Sequence, residues 1–184
     1  MHWRGSDGRR GVRTVCRPGS WWGLSLLGLA SLAPADAPQP PPALHTVCTA
    51  DRAVCAESDP VAGRTTARDA DGRTLWTLPG WHRTLFLAGD GRSAVVAPDG
   101  ANLVPLDATL ARPVLRFFHE GRLLRSVTLG ALYEELDALP RSASHRVWAQ
   151  AIGFDAAGRF VVTLVDGRTA SFRPDGQRLG KDGP

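Results

Sequence analysis

Residues 85–106 read LFLAGDGRSAVVAPDGANLVPL, with two Asp-Gly steps, Asp90-Gly91 and Asp99-Gly100, set between short apolar runs. Asp and Gly tolerate the positive φ of tight turns, whereas Val95, Val96, Leu103 and Val104 favour a pleated, half-buried surface. The stretch therefore predicts strand, turn, strand, turn, strand. Working outward, residues 64–78 place Asp71-Gly72 between two strand-like arms, and residues 114–118 and 123–128 flank a turn at 119–122. From 152 to 179 the turns centre on Gly158, Gly167 and Gly176, nine residues apart, which is the spacing of an antiparallel meander.

The adjacent apolar pairs Phe117-Phe118 and Leu123-Leu124 replace clean alternation, so the strands that carry them are expected to be covered on both faces, near the middle of the core. Leu129, Leu132, Tyr133, Leu136 and Leu139 follow helical spacing. They predict one short amphipathic helix near 129–138, with Thr128 as its cap and Pro140 as its stop. The expected fold is mostly β: antiparallel hairpins and a meander forming two packed or blade-like sheets, with that single helix.

The chain has 184 residues, enough for one domain plus a leader. Arg4, Arg9, Arg10, Arg13 and Arg17 precede a run of thirteen mostly apolar residues, 21–33, and then Ala33-Pro34-Ala35. A basic start, a short apolar run and small residues describe a secretory signal peptide over 1–35, and the run falls short of the ~20 residues that span a bilayer. An uncleaved anchor is the alternative. A proline-rich linker, 36–44, follows; it is expected to be extended, solvated and frayed. One β-rich domain, 45–179, and a flexible tail, 180–184, complete the organisation.

Removal of the leader takes away five arginines and Asp7, which leaves 17 basic and 17 acidic residues. The formal charge of +4 thus belongs to the leader, and a case for nucleic-acid binding built on net charge collapses. Cys16 leaves with the same segment. Cys48 and Cys55 remain as an even pair in an oxidising compartment, where a disulfide closing an eight-residue loop is worth roughly 2–3 kcal/mol. The polar stretch around them, 45–59, reads as a short turn or irregular loop.

Aligned turns give an internal repeat: Asp71-Gly72-Arg73, Asp90-Gly91-Arg92, Glu120-Gly121-Arg122, Ala157-Gly158-Arg159 and Asp166-Gly167-Arg168. Over 64–179 this resembles the hairpin chemistry of β-propeller blades of the NHL or quinoprotein-like kind. The resemblance implies blade-like sheets, but those 116 residues leave room for only two or three blades of ~40–45 residues, too few to close a propeller. The segment 91–153, with Asn102-Leu103, Pro105-Leu106-Asp107, Ser144-His145, Trp148 and Gly153-Phe154-Asp155, is similar to small exported bacterial proteins of unknown function. That resemblance implies an exported β-rich domain and brings no catalytic residues with it.

The chemistry-bearing residues are few. His119-Glu120 lacks the second histidine of a zincin motif and falls at a turn. Ser144-His145 lacks a nucleophile elbow, and adjacent residues rarely form the hydrogen bond that nucleophile and base require. The four histidines beyond the leader, His45, His82, His119 and His145, are far apart in sequence, so no metal or cofactor is expected. Trp81 and His82, just after the Pro79-Gly80 break, and His145 and Trp148 are the residues expected to contact a ligand or partner. The expected function is that of an exported, non-enzymatic binding or interaction module of the bacterial cell envelope, contacting a partner protein or an envelope polymer. The alternatives are an envelope hydrolase using His145 with Asp107, Asp155 or Glu120, and a structural subunit completing a β-sheet assembly with another chain.

Overall fold

The computed structural model describes residues 39–180; the leader with its cleavage site, the start of the linker and residues 181–184 lie outside the described residues. The first sheet is an antiparallel meander of β1 (His45–Cys48), β2 (Val54–Asp59), β3 (Arg64–Asp69) and β4 (Thr74–Pro79). The cysteine segment is thus a regular hairpin rather than the irregular loop expected of its polar sequence. Cys48 and Cys55 are cross-strand partners and form a disulfide.

Next come β5 (Thr84–Leu87), β6 (Ser93–Ala97), β7 (Leu103–Pro105), β8 (Pro113–His119) and β9 (Arg122–Thr128). The strands of residues 85–106 form where the apolar runs predict them. Their pairing is less local: the second sheet runs β5-β6-β8-β9, while β7 leaves it and pairs with β10 (His145–Val147). The third large sheet is the meander β11 (Ala149–Phe154), β12 (Phe160–Leu164) and β13 (Thr169–Phe172), with left-handed Gly158, Gly167 and Gly176 at φ 74°, 84° and 81° in its turns.

The second sheet is the middle layer. Alternation sends Leu85, Leu87, Ala94 and Val96 to one face, where they pack on Ala56, Ala67, Trp76 and Leu78 of the first sheet. Val95, Ala97 and Phe117 go to the other face, against Phe160, Val162, Leu164 and Phe172. Phe160 stands edge-on to Phe86, Phe117 and Phe154 at ring separations of 5.3, 5.6 and 5.1 Å. Every residue of β6 is therefore buried, as a strand covered on both faces must be. The antiparallel, blade-like architecture matches expectation, with three sheets in the stack.

Two ties register the layers. The buried Trp76 indole donates to the Gly91 carbonyl at 2.8 Å. Gly121, at φ 80°, lies so close to β4 that an added Cβ would stand 2.5 Å from the Thr77 carbonyl oxygen, so only glycine fits.

Two expectations change. β9 is an edge strand and not a central one: Leu123 and Leu124 are 50% and 38% exposed, because a bulge at Leu124, opposite the Phe117/Phe118 step of β8, shifts the register and nothing among the described residues pairs beyond β9. The helix near 129–138 contracts to one 3₁₀ turn, Leu129–Ala131. Its apolar stripe is still buried, from Leu129 to Leu139. The carbonyls of Ala131 and Leu132, which an α-helix would offer to amides four residues on, accept instead from Arg178 at 2.9 Å and Arg168 at 3.1 Å.

Candidate functional site

The loop after β4 is pinned through its own backbone. Gly80 turns the chain at φ 91° and its amide donates to the Gly63 carbonyl at 2.8 Å. The His82 amide donates to the buried Ser58 hydroxyl at 2.8 Å, and Ser58 in turn accepts from Thr65 at 2.9 Å. Trp81 and His82 are both half-buried, and the pinned backbone gives them different neighbours.

Trp81 meets the linker. Its indole donates to the Ala43 carbonyl at 2.9 Å, Arg83 lies over the ring at 4.9 Å and donates to the Pro40 carbonyl at 2.6 Å, and His45 stands edge-on at 6.0 Å. Residues 39–44 are exposed, as expected of a proline-rich stretch, but they are held at two points rather than frayed.

His82 lines a cleft of about 710 Å³, and His145 lines it too. The end of β6 and the turn after it supply Val96, Ala97, Pro98 and Asp99; the β7–β10 pair supplies Pro105 opposite His145; and the start of β8 supplies Arg112, Val114 and Arg116. Gln39 of the linker reaches its rim. The turn at 98–101 owes its shape to a residue unlike the one expected: Ala101, not Gly100, is left-handed, at φ 54°. Gly100 is needed for space, since a Cβ there would stand 2.9 Å from that of Leu103.

The electrostatics are uneven. Arg112 and Arg116 face a single carboxylate, Asp99. Burial lowers the pKa of His82, and the nearby Arg116 lowers it further, against weaker upward pulls from the Pro79 carbonyl and Asp99. The Pro79 oxygen, 3.1 Å from Nε2, can only accept, so Nε2 carries the proton of the neutral ring.

His145 is fixed by its neighbours. Its amide donates to Ser142 Oγ at 3.1 Å, and its Nδ1 lies 2.7 Å from Ser144 Oγ, so the contact between adjacent residues that sequence reasoning discounted is made. Two of the carboxylates considered for a His145-based hydrolase are paired with arginines elsewhere. Glu120 pairs with Arg92 at 3.4 Å and Asp155 with Arg159 at 2.8 Å, both at hairpin turns, and Asp107 is exposed.

Of the four residues expected to bind, the fold brings His82 and His145 to one cleft and sets Trp81 beside it. Trp148 is fully buried and offers no binding surface; its indole donates to the Ala101 carbonyl at 3.1 Å and so braces the turn that forms one wall. Sequence reasoning passed over Arg112 and Arg116, whose only signal was a spacing of four residues across Pro113, and over Asp99, read as a turn residue alone. Among the described residues no three His, Cys, Asp or Glu side chains gather as metal ligands, and no helix is long and apolar enough to cross a membrane. No protein-family model matches this chain, and no curated protein shows significant similarity to it.

Proposed function

We propose that the chain is an exported binding module whose ligand enters the cleft between His82 and His145. The observation that carries this reading is the convergence of two histidines from segments over sixty residues apart on one concave site of about 710 Å³, within the size range of small-ligand pockets. The walls combine proline and valine with a few polar groups, the usual composition of such sites. Export is supported by the leader's sequence and by a disulfide that persists in oxidising compartments.

The test follows the imidazole resonances of His82 and His145 by NMR while fractions of a cell-envelope extract are added to the full chain. A component that shifts both rings saturably, and fails to do so in a His82→Ala, His145→Ala variant, supports the reading. Extracts that leave both rings unmoved overturn it. N-terminal sequencing of the exported protein tests the leader, with a start at Asp36 expected.

A second reading rests on β9. Its seven residues form a sheet edge carrying two exposed leucines, and such edges recruit strands from other chains. A Leu123→Lys, Leu124→Lys variant that abolishes a concentration-dependent oligomer favours that assembly role; a wild-type monomer at all concentrations excludes self-association through β9.

A further inference from the structure

The cleft has a charge pattern that the fold itself does not use. Among the described residues, Arg92, Arg141, Arg146, Arg159, Arg168 and Arg173 each have a carboxylate within 3.9 Å. Arg112 and Arg116 make no side-chain hydrogen bond or ion pair among the described residues. Arg73, for comparison, sits at an exposed hairpin turn; these two stand at a concave wall.

Their anchors are fixed. The Arg112 amide donates to the Thr109 carbonyl and its own carbonyl accepts from Leu129, each at 3.0 Å, while Arg116 lies in β8 opposite Val96 of β6. Both guanidiniums therefore start from ordered backbone, which reduces the entropy lost on pairing. Pro98, Leu103 and Pro105, each half-buried, form the apolar part of the lining, and low-dielectric walls strengthen the field of charges at a cleft. A guanidinium presents a planar fork of donors that matches a carboxylate or a phosphate in two parallel hydrogen bonds. Asp99 opposes a crowd of negative groups, so one anionic end with an uncharged remainder fits best.

We propose that the ligand of this cleft carries a carboxylate or phosphate group that pairs with Arg112 and Arg116, its uncharged part resting on Pro98, Leu103 and Pro105. This rests on the cleft being the binding site. The opposition of Arg116 to protonation of His82 reports the same positive field from within the site.

The experiment titrates the full chain with phenyl phosphate, benzoate and the neutral phenyl glucoside, following the His82 and His145 ring resonances. Saturable shifts with the two anions and not with the glucoside are expected, weakening with added salt. Arg116→Gln should bind phenyl phosphate roughly tenfold more weakly, and Arg112→Gln, Arg116→Gln should abolish the shift. Both arginines are exposed, so the variants keep the fold. Shifts with the glucoside alone, or anion binding unaltered by the arginine variants, would overturn the anionic ligand and leave the cleft as the binding site. Rings unmoved by the probes and by envelope extract alike overturn both.

Discussion

The indole nitrogen of Trp81 donates a hydrogen bond to the carbonyl of Ala43, 2.9 Å away and 38 residues earlier in the chain. Arg83 makes the companion bond to Pro40. The two carbonyls lie three residues apart, the repeat of a polyproline helix, whose carbonyls have no internal partner and so remain open to donors.

Trp81→Ala should release residues 39–44 while leaving the sheets intact. Limited proteolysis near Leu44, which is 58% exposed, is expected to accelerate several-fold. The urea midpoint should move little, because a hydrogen bond of this kind contributes about 0.5–1.5 kcal/mol. Unchanged cleavage would show that the linker is held by other contacts.

Reduction of the Cys48–Cys55 disulfide is expected to lower the unfolding free energy by about 2–3 kcal/mol, measured by urea unfolding with and without reductant. β1 should loosen first. β2, β3 and β4 keep Ala56, Ala67, Trp76 and Leu78 in the core between sheets, so cooperative unfolding should survive.

Tyr133 donates to the Trp148 carbonyl and accepts from the Val165 amide. Tyr133→Phe keeps the ring and leaves both backbone groups short of a partner, a loss of about 1–3 kcal/mol. Hydrogen exchange at Val165 should accelerate in the variant; protection equal to wild type would count against the bond.

Acidification should weaken the fold in two separate windows. His82, facing Arg116, Asp99 and the Pro79 carbonyl, has a pKa below its ordinary 6.5, so the folded state binds fewer protons than the unfolded chain. Stability is then greatest above 6.5 and falls as the pH drops through that value toward the folded pKa. His82→Gln should flatten this part of the profile. A second loss begins below 3.8, from Asp155 and Asp166, held low chiefly by the amides of Arg159 and Arg168. Asp90 joins them: burial alone would raise its pKa, but bonds from the Ser93 and Arg92 amides and the Ser93 hydroxyl outweigh it. Calorimetry across about pH 3–8, which brackets the ordinary carboxylate and imidazole values, separates the two windows in wild type and variant.

The apolar stripe from Leu129 to Leu139 shows where sequence reasoning stops. Its spacing correctly marks five buried side chains, yet the backbone is not helical beyond Leu129–Ala131. A helix of ten residues is marginal without tertiary support, and here distant arginines take two of the carbonyls it would need. Leu123-Leu124 is the opposite case: an apolar pair that reads as core is left at an edge, because neighbouring strands decide which faces are covered.

The sequence by itself determined the strands beside the glycine turns, those turns and the cysteine pair, because alternation, turn chemistry and short loop closure act over a few residues. The tertiary structure alone decided that β7 would leave its neighbours for β10, a pairing made forty residues apart. That crossover places His145 opposite Pro105 and joins it to His82, Arg112 and Arg116 around one cleft. The energy of such a pairing comes from burying faces that meet only when all three sheets are stacked, so no local stretch of residues encodes it.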